Sequence, residues 1–309
     1  MYDVIALGEL LIDFASKSTD AAGYPTMAAN PGGAPGNFLA ALNAYGAKTG
    51  FLGKVGDDAF GHLLLGTLNQ AGIETRGIVV DPTVFTTLAF VTFDDKGDRS
   101  FSFARKPGAD TLLRWEEVDT SMIDAAKVFH FGTLSLTDEP VRTTTQKCVA
   151  YAKEKGKLIT YDPNLRKPLW KSEEEAKEQI LWGLLQADVV KISDEEVEFL
   201  FGLDPEAGAS HILANFGVKL VFVTCGARGC FFKNREGSFS LPACEIRAVD
   251  ATGAGDNFVA GFASEILRGA SNADALRFAN ACGAICTTAV GAGTALRDRE
   301  QVLRFLRGM

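Results

Sequence analysis

Short apolar, β-branched runs alternate with amphipathic helical stretches through the first two thirds of the chain. Such alternation is typical of β-α-β units on a parallel sheet. The predicted strand and helix pairs are Asp3–Leu7 with 36–47, Thr49–Val55 with 57–71, Lys127–Phe131 with 139–155, and Leu158–Tyr161 with 173–185. Two further strands, Val189–Ile192 and Leu220–Thr224, are apolar throughout, as strands covered on both faces are. The sequence therefore predicts an α/β fold with a mostly parallel central sheet.

Two regions interrupt the alternation, at about 12–30 and 86–108, and the second contains a hairpin pattern with a turn at 95–98. Apolar and polar residues alternate in Arg99–Phe103, which indicates a strand with one wet and one dry face. We expect the two regions to form a small β-sheet that projects from a single domain over 1–309 and acts as a lid or a dimer surface. After Ala254 the pattern is helical, over roughly 255–267, 272–287 and 298–308.

Charge and cysteine usage restrict the class of partner and the compartment. The 39 acidic and 31 basic residues give a net charge of -8, which argues against nucleic acid or an anionic membrane as the main partner. The six cysteines form no C-x-x-C pair, so we expect reduced thiols in a cytoplasmic protein. No apolar run approaches the ~18 residues of a membrane span, and the N-terminal segment is acidic where a signal peptide is basic.

The segment Asp250-Ala-Thr-Gly-Ala-Gly-Asp256 stands at the start of a predicted helix. Bare backbone N–H groups at Gly253, Ala254 and Gly255 would favour an anion there, because the orphan donors and the helix dipole act together. Asp256 would then place a carboxylate beside a phosphate, as deprotonation of an attacking hydroxyl requires. The alternative is that the glycines only pack or cap and that Asp256 is the helix N-cap.

Two common nucleotide-binding patterns are excluded. The chain contains no G-x-x-x-x-G-K-[ST], so it is not a P-loop enzyme. A dinucleotide fingerprint would need glycine where Phe258 stands, and it would lie next to the first strand.

The Asp250–Asp256 segment resembles the C-terminal signature of the ribokinase-like (PfkB) carbohydrate kinases, and Gly32–Asn37 with Gly53–Gly61 resembles their N-terminal one. The resemblance covers nearly the whole chain. Segments similar to the fructokinase branch are Arg105–Asp110, Phe129–Gly132, Tyr161–Arg166 and Val249–Phe258. The family implies a three-layer α/β/α sandwich with a β-sheet lid. It also implies ATP-dependent phosphorylation of the primary hydroxyl of a sugar, with D-fructose giving fructose 6-phosphate as the favoured reaction.

The resemblance also implies roles for individual residues. Asp256 would be the catalytic base, and the backbone of Gly253, Ala254, Gly255 and Asp256 would form an anion hole. We call this four-residue segment the anion hole. The residues expected at the sugar are Asp13, Gly32, Gly33, Asn37, Arg105 and Arg166. Each residue also has a simpler interpretation without the family. Gly32 and Gly33 would only turn the chain, Asn37 would cap the helix that follows, and Arg166 would form an exposed salt bridge.

Nucleotide and ions are implied in the same way. Lys191–Glu196 stands where the family has Asn-x-x-Glu near the magnesium and phosphate, but Ser193 replaces the asparagine. The residues expected at ATP and Mg²⁺ are Lys191, Ser193, Glu196, Thr224, Gly226, Gly229 and Asn280, with Glu196 acting on the metal indirectly. A K⁺ site is expected from main-chain oxygens of two segments. One segment is around Asp250 and Thr252, and the other is the loop Thr287–Gly293, which contains Gly291.

Alternatives remain open in two classes. The acceptor could be ribose, 2-keto-3-deoxygluconate, a riboside or a sugar phosphate, since pocket residues outside the motifs set that choice. The chain could also be a sugar-binding sensor that keeps the fold without turnover, although a sensor needs no base beside an anion site. The half-apolar lid motivates a homodimer hypothesis, because a second subunit or the sugar would cover its dry face.

Overall fold

The computed structural model describes residues 1–93, 99–292 and 298–308. The strands in these ranges are β1 Tyr2–Leu7, β2 Leu11–Thr19, β3 Pro25–Gly32, β4 Thr49–Gly56, β5 Glu74–Asp81, β6 Thr87–Phe93, β7 Arg99–Ala104, β8 Ala126–Gly132, β9 Leu158–Asp162, β10 Val189–Ser193, β11 Leu220–Thr224, β12 Cys230–Asn234 and β13 Ser238–Leu241. The α-helices are α1 Ala34–Ala44, α2 Ala59–Gln70, α3 Thr120–Asp124, α4 Val141–Glu154, α5 Glu173–Gln186, α6 Asp194–Phe201, α7 Pro205–Asn215, α8 Ala254–Leu267, α9 Asn272–Cys286 and α10 Arg299–Arg307.

The main sheet has nine strands in the order β13-β12-β11-β10-β9-β8-β1-β4-β5. Its seven strands from β11 to β5 are parallel, and β12 and β13 add an antiparallel edge. The predicted mostly parallel sheet is therefore confirmed. Each predicted strand of this sheet lies within one residue of its observed bounds, and the antiparallel edge was not predicted.

Helices cover both faces of the main sheet. In β1, Val4 and Ala6 join one core cluster, and Ile5 and Leu7 join the other, all fully buried. The first cluster draws on α1, α2, α8, α9 and α10, and the second on α3, α4, α5, α6 and α7. Because alternate residues of a strand point to opposite faces, this partition confirms the three-layer α/β/α sandwich.

The lid is a separate four-stranded sheet in the order β3-β2-β6-β7. Strands β2 and β6 are parallel, whereas β6 and β7 form the predicted antiparallel pair, whose turn at 95–98 lies outside the described residues. Phe14 stacks on Phe90 with 5.3 Å between ring centroids and meets Phe60 of α2 edge-on at 5.5 Å. Aromatic packing therefore attaches one face of the lid to the main domain. The opposite face of the lid is turned towards the carboxyl ends of the parallel strands.

Four further elements with weak sequence signals were not predicted. The edge strand β5 mixes charged and apolar residues, and the helices α3, α6 and α7 begin with polar caps at Asp119, Ser193 and Asp204. All six cysteines are free thiols, as expected. Among the residues that the structure describes, no helix combines the length and the hydropathy needed to cross a bilayer.

Candidate active site

A cavity of about 400 Å³ lies between the lid and the carboxyl ends of the parallel strands. Its wall includes Leu11, Asp13 and Ala15, the alternate residues of β2, together with residues of the anion hole. The carboxyl edge of an open α/β sheet is where ligands bind in such folds. We call this space the main cavity.

Asp256 lies in the first turn of α8 and borders the main cavity. Its side chain is buried at 8% exposure, and Asn37 donates a hydrogen bond from Nδ2 to Asp256 Oδ2 at 2.9 Å. Burial raises the pKa of Asp256, while the Asn37 hydrogen bond and the charges of Lys191 and Arg166 act against that rise. The N-cap position belongs to Gly253 and has no side-chain cap, so the alternative that Asp256 caps the helix does not hold. The Ala254 N–H of this segment donates to the Ala251 carbonyl oxygen at 3.2 Å. A buried carboxylate with a raised pKa in the first turn of a helix can accept a proton from a hydroxyl.

Two glycines of the anion hole are closely packed. Gly253 has φ +77°, and a methyl group built on it would lie 2.3 Å from Ala292 Cβ. A methyl group on Gly255 would lie 2.8 Å from Lys191 Nζ. The bare backbone therefore allows the loop and a lysine to approach the start of α8. The packing alternative also requires this close approach, so the anion-binding role of the two glycines stays a prediction.

The sugar-binding candidates Asp13, Gly33, Asn37 and Arg166 all border the main cavity. Burial raises the pKa of Asp13 to about 6, with Arg166 acting against that rise and the nearby aspartates adding to it. Asn37 lies inside α1 and bonds to the catalytic candidate, so it does not cap the helix as the simpler interpretation had it. Gly32 does not border the cavity. A methyl group there would lie 2.3 Å from Asp13 Oδ2, so glycine at this position leaves room for the Asp13 side chain.

Arg105 does not border the main cavity, contrary to the expectation of a substrate contact. Its guanidinium is buried and donates to Asp110 Oδ2 at 2.8 Å, to Thr137 Oγ1 at 2.7 Å and to the Leu134 carbonyl oxygen at 2.8 Å. Asp110 in turn accepts a hydrogen bond from Thr87 Oγ1 at the start of β6. Arg105 therefore fixes the base of the lid against the main domain through paired, satisfied groups.

A second cavity of about 560 Å³ adjoins the first and shares Asn164, Arg166 and Lys191 with it. Ser193 and Glu196 border this second cavity and form a capping box: Ser193 Oγ accepts from Glu196 N at 3.1 Å and Glu196 Oε2 accepts from Ser193 N at 2.8 Å. The serine that replaces the family asparagine thus has a defined structural role at the start of α6.

The other predicted nucleotide residues border neither cavity. Thr224 ends β11 and is the register partner of Ser193, and Gly226 and Gly229 flank the turn that follows. Asn280 of α9 donates from Nδ2 to the Pro242 carbonyl oxygen at 2.7 Å. None of these four described residues borders the main or the second cavity, and their contact with a nucleotide stays a prediction.

The residues of the predicted K⁺ site do meet. Asp250 Oδ1 accepts from Thr252 N at 2.9 Å and from Thr252 Oγ1 at 2.8 Å, while Asp250 Oδ2 accepts from Gly291 N at 2.9 Å. One carboxylate therefore connects the two loops whose carbonyl oxygens were expected to hold the cation. Gly293, the last residue of that loop, lies outside the described residues.

Within the described ranges, the acidic residues do not form a cage for a divalent metal. No group of three or more His, Cys, Asp or Glu in the described part of the chain is arranged to hold one. Glu196 uses Oε1 to accept from Leu165 N at 2.7 Å and Oε2 to accept from Ser193 N. This donor set would suit Mg²⁺ carried by phosphate oxygens, and Glu196 is the residue that would help to hold it.

Two cavity residues, Glu9 and Asn164, were missed as site candidates, as was Asp162, which borders neither cavity but pairs with the cavity residue Lys191. Glu9 follows β1, accepts from Ala34 N at 2.9 Å, and burial raises its pKa to about 7. Asp162 ends β9 and pairs with Lys191, and Asn164 has a positive φ of 49° at the junction of the two cavities. Their position just after predicted parallel strands was the available signal, because such strand ends share one edge of the sheet.

A buried carboxylate in the first turn of α8, under a lid and next to a second cavity, is the arrangement expected of a phosphotransferase that acts on a small hydroxylated molecule. The comparisons with known proteins agree. The chain belongs to the pfkB family of carbohydrate kinases, whose family model matches residues 1–299.

Curated relatives match almost end to end. The chain is 43% identical to Probable fructokinase-4 of Arabidopsis thaliana, over 99% of this chain and 97% of the relative. It is 42% identical to Fructokinase-2 of Solanum lycopersicum, over 99% of this chain and 96% of the relative.

Solved structures share the whole fold. The fructokinase from Xylella fastidiosa with bound ATP superposes with a TM-score of 0.91 at 32% identity, covering 100% of this chain and 99% of that one. A putative ribokinase II from E. coli in complex with ATP and Mg²⁺ gives a TM-score of 0.90 at 29% identity and covers 100% of both chains. A fructokinase double mutant from Vibrio cholerae with fructose, ADP and potassium ion gives 0.87 at 32% identity, covering 99% of this chain and 98% of that one.

Proposed function

We propose that this protein phosphorylates the 6-hydroxyl of D-fructose with ATP. The observation that carries the proposal is the position of Asp256, buried at the wall of the main cavity and in the first turn of α8 beside the anion hole. The names of the curated relatives and the fructose-bound neighbour support fructose as the acceptor.

In the proposed reaction Asp256 accepts the proton of the sugar hydroxyl while Asn37 holds its carboxylate in place. The hydroxyl oxygen forms a bond to the γ-phosphorus, and the bond from that phosphorus to the β–γ bridging oxygen breaks, which releases ADP. The N–H groups of the anion hole stabilise the phosphoryl oxygens as their charge develops. Mg²⁺, when bound with the nucleotide, supplies further charge neutralisation near Glu196.

The charges around the main cavity favour a neutral acceptor. Its wall carries the carboxyl groups of Glu9, Asp13, Asp250 and Asp256, and the cationic groups in the wall are Arg166 and Lys191, within the described residues. Carboxyl and amide groups suit the hydroxyls of a neutral sugar, whereas a sugar phosphate or a sugar acid would meet like charge. The charges of the cavity wall therefore favour fructose or ribose over 2-keto-3-deoxygluconate.

A panel assay tests the acceptor. We expect kcat/KM for D-fructose to exceed the values for ribose, 2-keto-3-deoxygluconate, a riboside and fructose 6-phosphate, with ADP formation coupled to a phosphorylated C6. A larger value for any other acceptor would replace fructose in the proposal. If no acceptor promotes ADP formation and calorimetry still detects fructose binding, the protein is a sensor.

Acid should weaken fructose binding. Asp13 accepts sugar hydroxyls best as a carboxylate, and its pKa is raised by burial to about 6. Protonation of Asp13 below that pH removes the charged acceptor. The association constant for fructose should therefore fall by up to about tenfold per pH unit on the acid side. Calorimetry between about pH 5 and 8, without nucleotide, measures this effect. Asp13→Asn should bind weakly at every pH, and a wild-type profile without an acid limb would exclude the role of Asp13.

We also propose the finer features implied by the family. These are a single domain over 1–309 with a lid over about 12–30 and 86–108, Mg²⁺ with ATP, K⁺ near Asp250, a cytoplasmic location, and a homodimer through the lid. The fructokinase neighbour with potassium supports the cation. Tyr24 at 68% and Phe85 at 66% exposure beside the lid are consistent with a covered surface there, and sedimentation at micromolar concentration would distinguish dimer from monomer.

A further inference from the structure

Lys191 is a buried lysine in the middle of β10 at the junction of the two cavities. Its side chain is 9% exposed and Nζ contacts both carboxylate oxygens of Asp162 at 3.1 Å. Asp162 ends the neighbouring strand β9 and is itself buried. The pair thus lies under the carboxyl edge of the sheet, outside the hydrophobic clusters that hold the fold together.

The ammonium group lies directly against the anion hole. A methyl group on Gly255 would be 2.8 Å from Lys191 Nζ and 3.2 Å from Cε, so nothing separates the lysine from the backbone of that residue. Lys191 also borders both the main cavity and the second cavity. An oxygen bound at the start of α8 would therefore be within reach of the ammonium.

Lys191 keeps its positive charge in this buried position. Burial by itself would lower its pKa, but the carboxylates of Asp162, Glu196 and Asp256 outweigh burial and raise it. An ammonium group has three N–H donors, and its hydrogen bonds within the described residues go to Asp162. Donor capacity therefore remains on the side that faces the cavities.

We propose that Lys191 is a catalytic residue that donates to an oxygen of the transferring phosphoryl group, and that Asp162 is the positioning residue that aims it. The inference rests on the proposed phosphoryl transfer to a sugar. The charge balance favours the transition state. When Asp256 takes the proton of the sugar hydroxyl, Lys191 loses one carboxylate neighbour, and the charge on the phosphoryl oxygens replaces it.

Lys191→Met tests the proposal, because methionine keeps the length of the stem and removes the donor. Loss of one such donor should lower kcat by about 10²–10³-fold, and the KM for fructose should change by less than about twofold. Asp162→Asn keeps the ammonium and one acceptor oxygen, so its kcat should fall less than that of Lys191→Met. Fluoroaluminate mimics the planar phosphoryl group. In both variants, the affinity of the enzyme for the combination of ADP, fluoroaluminate and fructose should fall in parallel with kcat.

Lys54→Met is the matched control for burial. Lys54 is 3% exposed and pairs with Asp81 at 3.2 Å and Glu117 at 2.7 Å, but it borders neither cavity. This variant should lower the melting temperature without lowering the kcat of the folded fraction. A folded Lys191→Met enzyme with kcat within tenfold of wild type, or with equal losses of fructose binding and kcat, would overturn the proposal. If the wild type itself fails to phosphorylate fructose, the proposed acceptor fails instead, and the variants are compared on the acceptor that the panel identifies.

Discussion

Asp256→Asn is expected to lower kcat by at least about 10²–10⁴-fold while fructose and ATP bind almost as in the wild type. The amide keeps the size of the carboxylate but cannot accept the proton of the sugar hydroxyl. It can still occupy the site beside Asn37, whose Nδ2 is 2.9 Å from the replaced oxygen. Steady-state kinetics with fructose and calorimetry with each substrate separate the two effects.

Asp274→Asn is the matched control for that variant. Asp274 lies in the first turn of α9, as Asp256 does in α8, but its side chain is 65% exposed and contacts Ser271 and Arg277. Its activity should stay at the wild-type level. Near-normal turnover by Asp256→Asn would exclude Asp256 as the base, and an equal loss in both variants would indicate a general effect of first-turn acids on stability.

Gly253→Ala should also strongly impair catalysis. Alanine is strained at φ +77°, which costs about 1–2 kcal/mol, and its methyl group would lie 2.3 Å from Ala292 Cβ. Relief of that clash has to move the start of α8 or the loop beside the predicted cation site. The N–H donors would then leave the position of the phosphoryl oxygens, so kcat should fall by about 10²–10³-fold.

Gly269→Ala separates strain from site disruption. Gly269 has a similar φ of +82°, but no atom lies within 4 Å of a methyl group built there. It should lose about 1–2 kcal/mol of stability through the same left-handed strain and keep its kcat. Equal kcat values for the two alanine variants in their folded state would show that the position of Gly253 does not affect catalysis.

Local patterns predicted the parts of the molecule that depend on neighbours in sequence. The β-α-β units, the lid strands and the glycine segment before α8 were all predicted, because strand period, helix period and turn residues are local signals. The capping box of Ser193 and Glu196 was equally readable from an S-x-x-E spacing. The resemblance to the family Asn-x-x-Glu motif assigned the same two residues to the metal and the phosphate instead.

Contacts between distant segments were not predictable from one sequence. The Asn37 to Asp256 hydrogen bond joins residues 219 positions apart, and nothing near Asn37 indicates it. Arg105 was placed at the substrate because a guanidinium suits hydroxyls and anions, but tertiary packing supplies it with Asp110 and Thr137 as buried partners. Lys191 and Asp162 meet because β9 and β10 are adjacent parallel strands, which the order of elements alone does not establish.

A crystal structure with fructose and a non-hydrolysable ATP analogue tests the central claim most directly. We expect the 6-hydroxyl oxygen to lie about 2.6–3.2 Å from a carboxylate oxygen of Asp256, with the γ-phosphate facing the N–H groups of the anion hole. A complex in which fructose turns its 6-hydroxyl away from Asp256, or in which the γ-phosphate binds elsewhere, would contradict the account.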